Sequence, residues 1–176
     1  MARTSRRLLL LLLVAAVAVM PGVQAQSRPT VDDFLAPAYP FELVSAAKAD
    51  RIAWLAYERG RRNVYTAAAP AFRPVRLTRH LEDDGIDLTS LSISADGSIV
   101  TFVRGHAPNR DGWVANPTSD PRGAERTIWA ARTAGGAPWR LGVGGSPALS
   151  PDGSAVLFVK EGQIYRYRIA QGTTPA

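Results

Sequence analysis

The sequence predicts an all-β fold built from repeated antiparallel sheets, and three observations support this. First, the segment Ser94–Ser98 (SADGS) followed by IVTFV matches Ser150–Ser154 (SPDGS) followed by AVLFV. Second, both apolar runs lack the alternation of polar and apolar residues, as expected for strands buried on both faces. Third, Asp50, Asp96 and Asp152 lie 46 and 56 residues apart. The first interval is within the roughly 40–50 residues of a four-stranded propeller blade, and the second is longer because it contains an insertion. We therefore predict a partial β-propeller of about three four-stranded blades, the last incomplete.

Residues 1–25 have the pattern of a secretory signal peptide. Arginines precede an apolar run from Leu8 to Met20, Pro21-Gly22 ends this run, and Val23-Gln24-Ala25 is the small-residue pattern cut by signal peptidases. Thirteen apolar residues are too few for a spanning helix, which needs about 20. We expect cleavage after Ala25, a periplasmic or secreted protein, and no membrane attachment afterwards. An uncleaved N-terminal anchor, or twin-arginine export through Arg6-Arg7, remains an alternative.

Residues 26–45 are predicted to be an extended or short helical lead-in. Thr30 with Asp33 three residues later is typical of a helix start. Pro37 and Pro40 limit any helix to a turn or two. Phe41–Val44 begins an extended segment.

Residues 46–176 are predicted to form the propeller blades. Each blade begins with a polar turn and continues as strands joined by turns or loops. The third stops after its strand at 163–169, with no fourth strand, which suggests a truncated product or copies that assemble into a ring. The expected blades are residues 46–87, 88–143 and 144–176.

The second blade carries an unusual insertion. Gly105–Arg126 holds three prolines and no strand pattern, whereas the matching connection in the first blade is only Glu58–Arg62. Loops of this length within a compact domain are often functional or bound to a partner.

The repeated turn has a structural explanation. Pro151 presets the backbone of a turn, Asp152 can accept hydrogen bonds from nearby amides, and Gly153 accepts positive φ. Calcium binding by Asp96 or Asp152 is disfavoured, because no second carboxylate stands beside either at metal-loop spacing. No metal or cofactor ligands are predicted.

Composition excludes several classes of protein. The formal charge of +6 falls to +3 when the signal and its three arginines are removed, which is too small to favour nucleic-acid binding. The chain contains no cysteine, which excludes disulfides, a thiol nucleophile and a cysteine-linked lipid.

The chemistry-bearing residues do not assemble into a predicted catalytic site. Ser146 lies in a GGSPA string that lacks the strand–serine–helix context of a nucleophile elbow. His80 and His106 are expected to be solvated loop residues, and Glu82-Asp83-Asp84 a solvated loop between strands. No catalytic residue is therefore predicted. Trp113 is expected either to pack beneath the long loop or to line a substrate entrance. Trp54 and Trp129 lie within predicted strands and are expected to be part of the core.

The repeats resemble those of the prolyl oligopeptidase family of secreted serine peptidases. The resemblance covers about Phe41 to Ala176 and includes SPDGSAVLFV with QIYRYR, the insertion Ala107–Leu141, and the segment from RNVYTAAAP to LTSLSIS. It implies a propeller that precedes an α/β-hydrolase domain. It also implies a Ser, Asp and His triad from that domain, which this chain does not contain. The turn repeat is shared with the periplasmic translocation protein TolB.

Three functions are therefore considered. The first is a non-catalytic propeller segment that gates the access of peptides to a C-terminal α/β-hydrolase domain absent from this chain. The second is a TolB-like periplasmic protein-binding propeller. The third is a product with no function of its own. In none of them is the chain alone active, and in none does it bind nucleic acid.

Overall fold

The computed structural model describes residues 28–35 and 37–169, so the predicted signal peptide and its cleavage site at Ala25 lie outside the described residues. One short helix, α1, spans Val31–Leu35. The strands run in the order Tyr39–Ser45 (β1), Arg51–Glu58 (β2), Arg61–Ala68 (β3), Val75–Arg76 (β4), Leu88–Ile93 (β5), Ile99–Gly105 (β6), Arg126–Arg132 (β7), Trp139–Val143 (β8), Gly145–Leu149 (β9), Ala155–Lys160 (β10) and Gln163–Arg168 (β11).

Helix α1 begins with the reciprocal cap that the sequence predicts. The Asp33 carboxylate accepts hydrogen bonds from the Thr30 backbone N–H at 2.7 Å and from its hydroxyl at 2.9 Å. The Thr30 hydroxyl oxygen in turn accepts the Asp33 N–H at 3.3 Å. These bonds satisfy donors that the first helical turn leaves unpaired. The predicted helix start is therefore confirmed.

The strands form three antiparallel sheets, which confirms the all-β prediction. The first has the order β1-β2-β3-β4, the second β5-β6-β7-β8, and the third β9-β10-β11. Every pair of neighbours in these sheets is antiparallel. The described residues form no closed ring. Strand β1, which the sequence predicts to belong to the lead-in, is an edge strand of the first sheet.

The second sheet lies between the other two, because its side chains alternate between two cores. Val100 and Phe102 pack with Leu55 of the first sheet. Ile99 and Val103, on the opposite face of β6, belong to the core shared with the third sheet. Residues of β7 divide in the same way. An apolar run without alternation is therefore needed at β6, where both faces are buried, as the sequence predicts.

The third sheet has only one covered face. Val156 and Phe158 of β10 pack towards the second sheet, but Leu157 and Val159 on the other face are 45% and 41% exposed. Ile164, paired with Val159, is 75% exposed. The expectation that β10 is buried on both faces is therefore wrong for the described residues, because no fourth sheet covers its outer face among them.

The first strand of each sheet contains the same irregularity. Register shifts interrupt the pairings of β1 with β2, β5 with β6 and β9 with β10. At each shift one residue has positive φ: Glu42 at 46°, Ser90 at 56° and Ser146 at 51°. These are β-bulges, which bend a strand and increase its twist. They also link the sheets, because the Glu42 carboxylate accepts the Leu91 N–H at 2.8 Å.

The repeated turns are built identically. The Ser94 hydroxyl donates to Asp96 at 2.6 Å and its oxygen accepts the Ile99 N–H at 3.0 Å. The turn that contains Ser150 and Asp152 has the same two bonds at 2.6 and 3.0 Å. Successive turns are also joined, because the Lys48 N–H donates to Ala95 O and the Ala95 N–H to Pro151 O, both at 2.7 Å. The SxDGS pattern is thus a structural unit of the repeat.

Candidate functional site at the long loop

The long loop between β6 and β7, residues 106–125, is built from hydrogen-bonded turns. The Asn109 side-chain oxygen accepts the backbone N–H of Asp111 at 3.0 Å and of Trp113 at 2.8 Å. The Asn116 amide bonds to both the N–H and the C=O of Asp120, at 3.1 and 2.9 Å. Asparagine side chains often stabilise turns in this way. The loop therefore has a defined shape despite the absence of strand pattern.

The two ends of the loop are held together tightly. Gly105 at the end of β6 pairs with Arg126 at the start of β7. A Cβ at Gly105, whose φ is +122°, would lie 1.9 Å from the carbonyl oxygen of Glu125, so only glycine suits this position. Beside it, the half-buried Arg104 forms ion pairs with Glu125 and with Asp84.

The loop is fastened to the segment before β5 through Asp87. This carboxylate accepts the Tyr57 hydroxyl at 2.9 Å and lies 3.1 Å from Arg62 Nε. Its other oxygen lies 3.1 Å from His106 Nδ1, and His106 Nε2 lies 2.9 Å from the Gly85 carbonyl oxygen. Each nitrogen of the His106 ring therefore lies within 3.1 Å of an oxygen atom from the segment before β5.

These contacts correct the expectation that His106 and Asp84 are simply solvated, because each is partly buried and lies against a partner. His106 is fixed at both ring nitrogens, as described above. Asp83 lies 3.0 Å from Arg62 Nη1, and Asp84 pairs with Arg104. The two arginine side chains are only 19% and 13% exposed, so the carboxylates serve as counter-charges for half-buried cations. Glu82 and Asp83 are exposed as predicted, although Asp83 also pairs with Arg62.

His80 is also not a freely solvated residue. Its backbone N–H donates to Asn63 Oδ1 and its carbonyl oxygen accepts from Asn63 Nδ2, both at 3.0 Å. Burial lowers the pKa of the His80 imidazole, and the positive charge of Arg104 lowers it further. At neutral pH the ring is therefore predominantly uncharged.

Ser146 lies within β9 and has the backbone of the repeated bulge. Its positive φ is shared with Glu42 and Ser90, so this feature belongs to the sheet repeat and not to a strand–serine–helix elbow. Among the described residues, Ser146 has no hydrogen bond to a histidine, and both nitrogens of His106 have other partners. Over residues 28–35 and 37–169, the serine hydroxyls with a carboxylate partner, such as Ser94 with Asp96, belong to the repeated turns.

The tryptophans differ in exposure. Trp113 is 76% exposed on the long loop and does not pack beneath it, contrary to one of the two readings offered by the sequence. Trp54 is partly buried and stacks on Tyr65 with ring centroids 5.7 Å apart. Trp129 packs against the core shared by the first two sheets. Trp113 is thus a large, exposed apolar side chain on a hydrogen-bonded loop, and tryptophan is common at contact surfaces.

The turn aspartates are occupied by their own turns. The Ser150 hydroxyl, followed by the Ser154 backbone and hydroxyl, lowers the pKa of Asp152 to about 2. The Ser94 hydroxyl, followed by Ser98, lowers the pKa of Asp96 in the same way. Over residues 28–35 and 37–169, no three His, Asp or Glu side chains group closely enough to hold a metal ion.

The same described ranges contain no helix with the length and hydropathy needed to cross a bilayer. The site is best described as a surface made of a hydrogen-bonded loop, paired charges and the exposed indole of Trp113. Sequence reasoning found the loop and Trp113 but missed Tyr57, Arg62 and Asp87. No sequence signal identifies these three, because they are joined only when β2 and β3 pack beside the segment before β5.

No family model and no curated protein matches this sequence. Among solved structures, the chain is similar to one from a structural and mechanistic study of two prolyl endopeptidases and of the role of inter-domain dynamics in their catalysis and specificity. The TM-score is 0.51 and the identity 13%, and the alignment covers 80% of this chain but only 22% of that chain. At this identity the likeness shows that the three sheets share the fold of part of a prolyl endopeptidase.

Proposed function

We propose that this chain is the non-catalytic propeller segment of an exported serine peptidase of the prolyl oligopeptidase family. In this proposal it gates the access of peptides to an α/β-hydrolase domain that lies outside the chain. The observation that carries the proposal is the fold likeness to a prolyl endopeptidase over 80% of this chain.

The arrangement of the sheets supports a partial propeller. Strand β1 contacts β5, and β5 contacts β9, so the first strands of successive sheets are neighbours. This is the radial arrangement in which blades surround an axis. The repeated bulges at Glu42, Ser90 and Ser146 all lie on these inner strands.

Both end faces of the three-sheet unit are apolar, as expected of blades that belong to a larger ring. At one end, Leu157, Val159 and Ile164 are exposed. At the other, the first sheet carries an open groove of about 460 Å³ lined by Pro40, Phe41, Leu43, Ile52 and Trp54. Exposed apolar faces of this kind favour contact with further protein.

A gating role is supported by the long loop. A filter that admits short peptides needs a rim of defined shape, and Asn109 and Asn116 give this loop such a shape. Trp113 at its surface offers an apolar contact for a peptide. Export to the periplasm or the medium is part of the proposal and depends on the signal-like residues 1–25.

The first experiment is a hydrolysis assay on the full chain alone, with a dipeptidyl chromogenic substrate and a fluorophosphonate probe that labels active serines. We expect neither turnover nor labelling, because no serine hydroxyl among the described residues is hydrogen-bonded to a histidine. Turnover abolished by the serine-directed probe would contradict the assignment of a non-catalytic segment.

The second experiment reads the coding sequence downstream of codon 176. Further Asp-Gly blades followed by a G-x-S-x-G elbow, and later Asp and His, would support the peptidase. Further blades without a hydrolase domain would favour the alternative, a TolB-like binding propeller. The exposed Trp113 on an ordered loop is the observation that favours this alternative, because indoles often anchor protein interfaces.

A further inference from the structure

Basic and acidic residues are distributed unevenly along this chain. Residues 59–81 contain six arginines and no aspartate or glutamate, and residues 126–151 contain three arginines and again no acid. The rest of residues 26–176 holds nine basic residues and fifteen acids. The small net charge predicted for the mature chain therefore conceals two segments whose charged side chains are all cationic.

Each of these two segments contains an edge strand. β4 is at the edge of the first sheet and β8 at the edge of the second. The two strands share a sequence pattern, PVRL at Pro74–Leu77 and PWRL at Pro138–Leu141. In both, the leucine is buried, whereas the arginine, Arg76 or Arg140, is exposed. The repeat therefore places an exposed cation on the outer strand of each of these sheets.

Two more exposed arginines extend this cationic surface. Arg73 precedes β4 and Arg79 follows it. Arg79 lines the same cleft between the sheets as Pro138, which lies two residues before Arg140, so the surface continues from the first sheet to the second. We name the four side chains the rim arginines: Arg73, Arg76, Arg79 and Arg140. Within residues 28–35 and 37–169, none of them forms an ion pair with a carboxylate.

The surroundings of the rim arginines favour a polypeptide as the partner. Phe72 and Val75 lie among them and are 45% and 48% exposed, and arginine and aromatic side chains are both enriched at protein interfaces. The guanidinium group matches a carboxylate through two parallel hydrogen bonds. An edge strand also presents backbone N–H and C=O groups that can pair with a further strand. A lipid surface offers no such backbone pairing.

We propose that the rim arginines form a docking surface for an extended, acidic segment of another polypeptide. The segment lies along residues 72–79 as an additional strand, and its carboxylates pair with Arg73, Arg76 and Arg79. Arg140 contacts a further carboxylate where the surface continues onto the second sheet. The inference is independent of the proposed peptidase role, because none of these residues belongs to the long loop.

The test uses the full chain and a fluorescein-labelled peptide of ten glutamates, followed by fluorescence anisotropy at low ionic strength. We expect saturable binding that weakens as NaCl is added, because exposed charge pairs are screened by salt. A labelled peptide of ten glutamines has the same length without the charge and should not bind.

Two triple variants with the same net charge separate a specific surface from general attraction. The rim variant combines Arg76→Gln, Arg79→Gln and Arg140→Gln. It should weaken binding about tenfold or more, because each exposed charge contact contributes about two- to threefold.

The control variant combines Arg28→Gln, Arg166→Gln and Arg168→Gln, which removes three exposed arginines from other parts of the chain. It should weaken binding less than about twofold, through the lower net charge alone. Both variants should keep the urea midpoint of the parent chain, because all six side chains are exposed.

The proposal fails if the glutamate peptide does not bind the parent chain. It also fails if the two triple variants lose affinity equally, which would mean that only the net charge attracts the peptide. Vesicles of phosphatidylglycerol that bind the parent chain but not the rim variant, without competition from the peptide, would assign the surface to lipid instead. Peptidase assays do not enter this test, so its failure leaves the proposed function unaffected.

Discussion

Replacing Ser94 by alanine should destabilise the protein through a single buried amide. Ser94 is fully buried, and its hydroxyl oxygen accepts the buried Ile99 N–H at 3.0 Å while its proton goes to Asp96. Alanine leaves the Ile99 N–H without a partner, and an unsatisfied buried donor costs about 1–3 kcal/mol. We assign no free-energy cost to the hydrogen bond that Asp96 loses, because this carboxylate is exposed and water can replace the Ser94 hydroxyl. The free energy of unfolding should therefore fall by about 2 kcal/mol, or roughly 4–8 °C in Tm for a chain of this size.

The repeat supplies a matched control at Ser150. Ser150→Ala removes the same two bonds, but this turn is exposed and only partly buries the Ala155 N–H, so water can replace the lost acceptor. Urea unfolding followed by tryptophan fluorescence should give a clearly smaller loss than Ser94→Ala. Equal losses, or a loss below about 0.5 kcal/mol for Ser94→Ala, would refute the argument that burial sets the difference.

Three further changes test other parts of the structure. Glu42→Ala removes the acceptor 2.8 Å from the Leu91 N–H and should lower the free energy of unfolding in urea by about 1–2 kcal/mol, whereas Glu42→Gln, which keeps an acceptor, should stay near the parent value. Gly105→Ala places a Cβ 1.9 Å from a backbone oxygen at +122° in φ and should cost more than about 3 kcal/mol in thermal unfolding. Gly123→Ala, at φ +103° with nothing within 4 Å, should cost only about 1–2 kcal/mol, and similar losses for the two glycines would contradict the steric argument. The pKa of Asp152 is lowered to about 2 by its turn, so its contribution to stability is complete above the unfolded pKa of about 3.9 and is lost as pH falls towards 2. Asp152→Asn should flatten this part of the stability–pH curve, and an unchanged curve would show that the turn does not stabilise the carboxylate.

The sequence was most informative where the interactions are local. In the SxDGS turns, hydrogen bonds join residues two to five positions apart. The local pattern of residue types is therefore sufficient to predict the structure of the turn. The same is true of the Thr30–Asp33 cap. The apolar run of β6 correctly predicted burial on both faces, because its alternate residues enter different cores.

The candidate surface was only partly predictable. The length of the insertion identified the long loop, and its tip residue Trp113 was recognised as a candidate. The expectation of solvated histidines and acids was wrong for His80, His106 and Asp84, whereas Glu82 and Asp83 are exposed. Loop position favours exposure in general, but the partners of these side chains are distant in sequence and could not be inferred from it.

What the sequence determined by itself is the all-β class, the repeated Asp-Gly turns and the positions of most strands. These depend on turn chemistry and on apolar periodicity, which act over a few residues. Only the tertiary structure decided which side chains meet across the fold: Tyr57 with Asp87, 30 residues apart, and Glu42 with Leu91, 49 residues apart. The physical reason is that such contacts are set by strand register and by sheet packing, and a shift of one residue would turn each side chain to the opposite face.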